Sequence, residues 1–141
     1  MWSGRRTGFL IRKATAVGFT FNQRSTSQAV PEGAVGIQHI YANGKALEGV
    51  KTGKYADGAI LVMDRMNYTE DDKKIMQEGV RKALLIMVKD EAKYKDTGGW
   101  GFEGFKSGDA NQRLVKDGGK ACFTCHAPLT SDNFVFSKLR N

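Results

Sequence analysis

The sequence predicts an α+β fold, made mainly of an antiparallel β-sheet with a few short helices. In several runs apolar residues recur with the two-residue period of strands, and turn signals containing glycine separate these runs. Helical periodicity is confined to short stretches, which leaves little room for long helices. A chain of 141 residues, 40% of them hydrophobic, is most simply one domain spanning residues 1–141.

Two strands are predicted near the N-terminus. Arg12–Asn22 alternates between two faces, with aromatic and β-branched side chains on one of them, which predicts the first strand. A polar linker, Gln23–Gln28, follows. Ala34–Ala42 alternates again and predicts the second strand, in which Gln38 and Ile40 share a face.

A short helix and a third strand come next. Lys45–Lys51 has apolar residues at helical spacing, and Gly53 lies just after it, as is usual beyond a helix C-terminus. Asp57-Gly58 then introduces Ala59–Met66, whose continuously apolar first half predicts a strand. Asn67–Glu78 is polar, so we expect an exposed connection there.

Two further strands are predicted in the second half of the chain. Val80–Lys89 fits either a helix or a buried strand, and the short apolar run Leu84–Val88 favours the strand. Trp100–Phe105 alternates aromatic with small residues after the Gly98-Gly99 turn, which predicts another strand.

The C-terminal part is predicted to contain a loop and two short helices. Gly108–Gly119 is rich in glycine and is predicted to be a loop with a helical turn at Asn111–Val115. Ala121–Ala127 is predicted to be a short helix that Pro128 ends. Ser131–Leu139 is predicted to be a final short helix with a polar N-cap.

The run Cys122-Phe123-Thr124-Cys125-His126 is the most informative feature of the chain. Two thiols at this spacing can add across the two vinyl groups of one haem, and the histidine that follows can supply an axial nitrogen to the iron. These are the only two cysteines. The motif therefore predicts one covalently bound haem c per chain, held by Cys122 and Cys125, with His126 as the metal ligand.

Two other interpretations of this motif stay open. A thioredoxin-like dithiol normally opens a helix early in a βαβ unit, whereas this pair lies near the C-terminus after a glycine-rich loop. A structural zinc ion usually takes four ligands, mostly cysteine and histidine. Beyond the motif the chain offers only His39 as a further ligand of these two types, so zinc fits poorly.

Charge and hydropathy narrow the classes of partner. The net charge is +7, and the 22 basic residues are scattered rather than clustered. No basic stripe interleaved with aromatic residues is present, so nucleic acid is not an expected partner. No apolar run is long enough to span a membrane. The positive charge favours an acidic redox partner protein or anionic ligands.

The predicted location is the periplasm, because haem c is normally attached outside the cytoplasm. A secretory signal is therefore expected. Met1–Ala16 contains no clear one, since Phe9-Leu10-Ile11 is too short for an apolar signal region and the basic residues Arg12 and Lys13 interrupt it.

An ordered set of motifs extends from Val35 to Arg140. Its members are His39-Ile40-Tyr41-Ala42-Asn43, Lys54-Tyr55-Ala56-Asp57-Gly58-Ala59, Val88-Lys89-Asp90, Gly98-Gly99-Trp100-Gly101-Phe102-Glu103, Ala121–Pro128 and Phe134-Val135-Phe136-Ser137-Lys138-Leu139. Each motif alone is weak, but the ordered set resembles the cytochrome P-460 / cytochrome c′-beta family. Residues Met1–Val30 match that family poorly.

The resemblance implies a large antiparallel sheet with the haem lying against it, usually in a homodimer. It assigns thioether bonds to Cys122 and Cys125 and proximal iron ligation to His126. It also implies that the resting iron is five-coordinate, with an open distal side. In the cytochrome c′-beta branch this open side binds the small gases NO and CO, which suggests NO scavenging or sensing.

One residue separates the two branches of the family. Cytochrome P-460 members oxidise hydroxylamine and carry a lysine that cross-links to the haem, five residues after the Asp-Gly that opens the strand. Counted from Asp57-Gly58, the equivalent position is Met63, which has no amine. The resemblance therefore implies the cytochrome c′-beta branch, with a P-460-type hydroxylamine or NO oxidoreductase as the alternative.

The distal side of the haem is predicted from the third strand. Met63 shares a face with Ala59 and Leu61, so this face would form an apolar distal wall. Met63 is otherwise a core residue, or a sixth ligand in an electron-transfer cytochrome. Gln38 matches a distal arginine of P-460 members and is predicted to contact the bound ligand, with an exposed role as the alternative. His39 is expected to be a hydrogen-bonded sheet residue.

The remaining conspicuous residues are expected to be structural. Four aromatic residues are predicted to pack on the haem and in the core: Trp100, Phe102, Phe134 and Phe136. Glu103 is expected to be a solvated or paired carboxylate, and Asp117 could approach the pocket from the loop before the motif.

Overall fold

The computed structural model describes residues 36–138 together with the short strand Thr15–Ala16. Four long strands form an antiparallel sheet in chain order, and the two-residue strand pairs with its first edge. The elements are β1 (Thr15–Ala16), β2 (Ile37–Ala42), α1 (Gly44–Thr52), β3 (Ile60–Glu70), β4 (Met76–Lys89), β5 (Trp100–Lys106) and α2 (Lys120–His126). The predicted fold class, mainly antiparallel sheet with short helices, is confirmed.

The strand register gives the sheet one shared face, which we call the core face and which is apolar in two of its three rows. Three rows of side chains cross it from β2 to β5: Ala42, Leu61, Met87 and Phe102; Ile40, Met63, Leu85 and Gly104; and Gln38, Arg65, Ala83 and Lys106. Since side chains alternate along a strand, the residues between them lie on the opposite face. The main buried cluster includes Ile40, Ala42 and Leu61, with Ala46 of α1 and Val135 packed against them.

Helix α1 covers one end of the core face and is fixed at both ends. Asn43 is its N-cap, and the Asn43 Oδ1 accepts hydrogen bonds from the backbone N–H groups of Ala46 (2.9 Å) and Ile60 (3.0 Å). The helix ends at Gly53, whose φ of 74° is the left-handed conformation that glycine adopts without strain. The predicted helix Lys45–Lys51 is therefore confirmed.

Trp100 anchors the C-terminal segment to the sheet. Its side chain is fully buried, and its indole N–H donates to the carbonyl of Asn133 at 2.9 Å. Tyr55 packs edge-on against it, with ring centroids 5.3 Å apart. Because a buried indole N–H needs an acceptor, this bond fixes where the chain returns across the core face. Trp100 is thus a core residue, as the sequence predicted.

The connection expected at Asn67–Glu78 is instead mostly strand. Strands β3 and β4 extend through it as a hairpin, and the residues of this stretch are exposed, as expected. β2 pairs with β3 only as far as Met66, and β5 pairs with β4 only from Ala83. Residues 67–81 therefore project beyond the four-stranded part as a ribbon of two described strands, which we call the arm. Cross-strand hydrogen bonds hold these polar strands without burial.

Two predictions for the C-terminal part are wrong. Ser131–Leu139 is not a helix in its described residues: a single 3-10 turn covers Thr130–Asp132, and Asn133 and Phe134 then adopt positive φ values of 51° and 64°. The helical turn predicted at Asn111–Val115 is replaced by an isolated β-bridge between Arg113 and Phe105. In both places a hydrogen bond to a residue distant in sequence overrides local helical preference: the Leu114 N–H donates to the Gly104 carbonyl, and the Trp100 indole N–H donates to the Asn133 carbonyl.

Part of the N-terminal prediction lies outside the described residues. Of the strand predicted at Arg12–Asn22, only Thr15–Ala16 is described, and it is extended. The linker Gln23–Gln28 and the first two residues of Ala34–Ala42 are not described. In the part of the chain that is described, no helix combines the length and the apolar content needed to cross a lipid bilayer.

Candidate functional site

Helix α2 carries the Cys-x-x-Cys-His motif, and its start is fixed against β5. The Asp117 carboxylate accepts the backbone N–H groups of Gly119 (3.0 Å) and Ala121 (2.8 Å), which holds the pKa of Asp117 below its usual value. Gly119 has a φ of 89°, and a Cβ there would lie 2.9 Å from the Cβ of Phe102. Glycine is therefore required for α2 to approach β5 this closely.

His126, the last residue of α2, has one ring nitrogen occupied and the other available. Its Nδ1 lies 2.7 Å from the carbonyl oxygen of Phe134. A carbonyl only accepts, so Nδ1 carries the proton and Nε2 keeps its lone pair for a metal. Burial lowers the pKa of His126, which favours the neutral form that binds metals. The rings of Phe102 and Phe136 flank the imidazole at centroid distances of 5.0 and 4.8 Å.

A cavity lies between the core face and the segment that contains α2. Its empty volume is about 580 Å³, including space open to solvent. The lining residues are Ile40, Leu61, Val62, Met63, Leu85, Ile86, Met87, Phe102, Glu103, Cys122, His126, Val135, Phe136 and Ser137. Most of these are apolar, and they come from the sheet on one side and the C-terminal part of the chain on the other. A mostly apolar cleft with a few polar groups is typical of cofactor sites.

The donor set of this cavity suits a haem. Cys122 and His126 are four residues apart on α2, so they project from the same side of the helix, and both line the cavity. Cys125 lies on the same helix and is exposed, and both thiols are free. A large flat apolar ring can contact Leu61, Met63 and Leu85, while the helix supplies the sulfurs and the imidazole nitrogen.

The geometry does not favour the dithiol interpretation. Burial, followed by the nearby negative charge of Asp117, raises the pKa of the Cys122 thiol. A catalytic dithiol needs a thiol with a lowered pKa, since the thiolate is the reactive form. Cys122 therefore lacks the electrostatic activation that an oxidoreductase of that type uses.

Zinc also finds no support in the described residues. His39, the fourth ligand considered, lies on the face of the sheet opposite the cavity, where its Nε2 is 2.5 Å from the Glu78 carboxylate. Within residues 36–138, no group of three or more His, Cys, Asp or Glu side chains could hold a metal ion. His39 is a hydrogen-bonded sheet residue, as predicted.

Met63 and Gln38 differ in their relation to the cavity. Met63 lines it from β3, on the wall formed by the sheet. Gln38 is one row further along the core face, opposite Arg65, and is not among the described lining residues. The described lining residues also include no lysine, and the nearby Lys51 and Lys54 are exposed at and just after the end of α1. The haem-binding roles of Met63 and Gln38 stay predictions.

Arg65 is the residue of this region that the sequence analysis missed. It is half-buried, shares the core face with Met63, and donates from Nη2 to the Met63 sulfur at 3.6 Å. The signal was available in the sequence, because Arg65 follows Met63 by two positions in a predicted strand and must share its face. A charged side chain is not expected on a face that lines an apolar cavity, so parity alone did not single out Arg65.

Glu103 and the aromatic residues behave as structural groups. The Glu103 carboxylate accepts from the guanidinium of Arg113 and from the backbone N–H of Gly104, which ties it to the edge of the sheet. Phe102 and Phe136 line the cavity, whereas Phe134 packs on Phe123 with ring centroids 5.2 Å apart. Glu103 is therefore a paired carboxylate, one of the two roles predicted for it.

The comparisons with known proteins agree with this site. A family model described as Cytochrome P460 matches residues 17–137, which include the four long strands, the described lining of the cavity and the whole of α2. The comparison with curated proteins gave no match. The family implies a c-type haem protein; helix α2 offers the two thiols and the imidazole, and the cavity offers the apolar wall that such a cofactor needs. By its sequence match over most of its length, this chain belongs to the Cytochrome P460 family.

Proposed function

We propose that this protein binds small gases, NO and CO, at a five-coordinate haem c of the cytochrome c′-beta type. Cys122 and Cys125 would hold one haem covalently, and His126 would coordinate its iron. NO scavenging or sensing is the proposed role. The observation that carries the proposal is the cavity, in which His126 faces a sheet wall that is apolar and contains no lysine among the described lining residues.

The haem, when bound, supplies a ferrous iron that takes NO or CO at its open position. His126 is oriented for the iron by the Phe134 carbonyl on one nitrogen and by the flanking rings of Phe102 and Phe136. Such a hydrogen bond on the outer nitrogen fixes the tautomer of a ligating imidazole. The chain thus presents Nε2 in one orientation.

The sheet wall determines what else can bind. The side chains of Ile40, Leu61 and Leu85 have no hydrogen-bond donors. Glu103, the carboxylate among the described lining residues, accepts a hydrogen bond from the Arg113 guanidinium. Bound oxygen needs a distal donor for stabilisation more than CO or NO does, so an apolar wall favours CO and NO. Met63 replaces the amine on which a haem–lysine cross-link depends, which disfavours the hydroxylamine oxidase alternative.

An absorption spectrum of the reduced holoprotein, before and after addition of CO, tests the proposal. We expect a high-spin five-coordinate spectrum that CO converts fully to a low-spin adduct. A red-shifted ferrous band would indicate the P-460 alternative. A low-spin spectrum before CO addition would indicate an electron-transfer cytochrome, which the presence of Met63 in the cavity wall favours as the second candidate.

Covalent attachment is tested separately. After denaturation in acidified solvent, the haem should stay with the wild-type chain and should be extracted from the double variant Cys122→Ala, Cys125→Ala. Extraction of the haem from the wild-type chain would contradict attachment through the two thiols.

The proposed location is the periplasm, because haem c is normally attached outside the cytoplasm. An acidic redox protein is the proposed partner because the net charge is +7.

We further propose that two copies form a homodimer through the arm. Four of its side chains are large, apolar and exposed: Tyr68, Ile75, Met76 and Val80. An isolated two-stranded ribbon is marginally stable in water, and exposed apolar groups on it indicate a partner surface. Charges of the arm are already paired within one chain, Lys74 with Glu70 and Arg81 with Asp64, so the apolar side chains are the groups that a second copy would cover.

A further inference from the structure

Arg65 occupies a position from which it can control the Met63 side chain. In register it lies between Gln38 of β2 and Ala83 of β4, one row beyond Met63 on the core face. It is half-buried, and its Nη2 donates to the Met63 sulfur at 3.6 Å. Sulfur is a large, weak acceptor, so 3.6 Å is a normal length for a hydrogen bond to it. The donor, the Arg65 guanidinium, carries a full positive charge, which strengthens the bond.

This contact fixes the position of the Met63 sulfur relative to Arg65. The sulfur lies 3.6 Å from the Arg65 guanidinium, and Arg65 is itself half-buried in the sheet. A sulfur that moved across the cavity toward His126 would leave this contact. The bond to Arg65 and a bond to an iron held by His126 therefore compete for the Met63 sulfur.

The distinction matters because Met63 and His126 line the same cavity from different elements, β3 and α2. A methionine sulfur facing a histidine is the ordinary ligand pair of electron-transfer cytochromes c. Methionine is also unbranched and adaptable, so its packing alone would not prevent a change of rotamer. If a gas is to bind the iron, another interaction must keep the Met63 sulfur from taking the open coordination position.

We propose that Arg65 is a positioning residue that holds the Met63 sulfur and thereby keeps the sixth coordination position open for gases. The inference rests on the proposed function, since it requires a haem in this cavity with His126 as its ligand. Arg65 does not contact the gas in this arrangement; it acts through Met63.

The size of the effect follows from the kind of bond. A charged donor on a weak sulfur acceptor lies at the low end of charge-assisted hydrogen bonds. Its loss is expected to raise the ratio of six-coordinate to five-coordinate iron about 10-fold, equivalent to ~1.4 kcal/mol. A 10-fold rise makes the six-coordinate form visible in a spectrum even if its population in the wild type is too small to detect.

The test compares the holoproteins of wild type and Arg65→Leu by absorption and resonance Raman spectroscopy of the reduced state. We expect a low-spin fraction with histidine and methionine ligation in R65L, and a CO association rate that falls in proportion to the five-coordinate fraction lost, because CO must displace the sulfur wherever it is bound. The double variant Met63→Leu, Arg65→Leu should return to the high-spin spectrum and to rapid CO binding. Lys106→Leu is the matched control, because it removes an exposed positive charge from the same row.

The outcomes separate this inference from the proposed function. If wild type is high-spin and R65L is equally high-spin with unchanged CO binding, the positioning role is wrong and gas binding stands. If wild type is itself low-spin before CO addition, the proposed function fails. Should R65L load haem poorly, Arg65→Gln keeps a polar side chain at the site and carries the same expectation. A low-spin form that persists in the double variant would also overturn the assignment to Met63.

Discussion

At the scale of single residues, the face of the sheet opposite the cavity carries a largely buried carboxylate that is held by an ion pair. Asp64 is only 7% exposed, and Arg81 binds both of its carboxylate oxygens, from Nε at 2.6 Å and from Nη2 at 2.5 Å. The bond to Asp64 raises the pKa of Arg81. Removing one partner of such a pair leaves a desolvated charge, which costs more than the pair itself contributes.

Arg81→Leu is therefore expected to lower the free energy of unfolding by about 2 kcal/mol, less than for a fully buried pair because Arg81 is partly exposed. Urea denaturation of the holoprotein measures it. The double variant Asp64→Asn, Arg81→Leu removes the stranded charge and should recover part of the loss. A change below about 0.5 kcal/mol for R81L would show that solvent already compensates Asp64.

A second residue-scale prediction concerns the two glycines before α2. Gly118 and Gly119 both have positive φ, 71° and 89°, but only at Gly119 would a Cβ meet a neighbour, the Cβ of Phe102 at 2.9 Å. Gly118→Ala is expected to cost about 1 kcal/mol from backbone strain alone. Gly119→Ala should cost about 2 kcal/mol more, because α2 must move from β5.

The two glycine variants form their own matched comparison. Urea denaturation gives the stability difference, and the haem content after expression reports whether the motif still reaches the cavity. Equal costs for G118A and G119A would show that the contact between Gly119 and Phe102 does not fix the helix.

The site residues differ in how far the sequence could identify them. Cys122, Cys125 and His126 could be grouped from the sequence because their relation is local, within five residues of one helix. Arg65 was on the right face by parity, but its bond to the Met63 sulfur depends on rotamers that alternation does not determine. The support of His126 by the Phe134 carbonyl depends on a turn that local propensity did not predict.

At the scale of elements, α2 is short, and its start depends on the carboxylate of Asp117. The hydrogen bonds from Ala121 and Gly119 lower the pKa of Asp117 in the folded protein. A depressed pKa means that the stabilisation is present above the unfolded value, about 3.9, and is lost as the pH falls through the folded value. The start of α2 should therefore weaken in acid.

Asp117→Asn removes this titration and keeps one oxygen as an acceptor. At pH 6 we expect wild type to be the more stable, and the gap to the variant should narrow as the pH falls below about 4. Urea midpoints of both proteins between pH 6 and pH 2 measure the gap. Parallel curves over this range would show that the Asp117 carboxylate does not stabilise the folded state through its charge.

The elements also show where sequence patterns stop being informative. β2 and β5 were predicted from alternation, which burial on one face imposes, and the inner halves of β3 and β4 from short continuous apolar runs. The arm was missed because its strands are exposed and polar, so no burial marks their period. The segment after Thr130 was missed because Asn133 bonds to the Trp100 indole and to the carbonyl of Gly53, and these contacts, distant in sequence, override helical propensity.

At the scale of the whole molecule, the arm and the cavity lie at different parts of the sheet. The arm continues β3 and β4 past the row that contains Arg65, whereas His126 packs on Phe102, two rows away from Arg65 in the other direction. The proposed dimer contact and the proposed gas site are therefore separable. A variant that disrupts the dimer should leave the ligand chemistry intact.

Val80→Lys tests that separation. Val80 is 74% exposed on the arm, so a lysine there costs little within one chain but places two charges in an apolar contact between copies. We expect the wild-type holoprotein to sediment as a dimer and V80K to sediment as a monomer with an unchanged CO adduct spectrum. Leu114→Lys is the control, since Leu114 is also apolar and 48% exposed but lies outside the arm. If V80K stays dimeric while L114K dissociates, the contact lies beside the edge of β5; if both stay dimeric, the arm is not the interface.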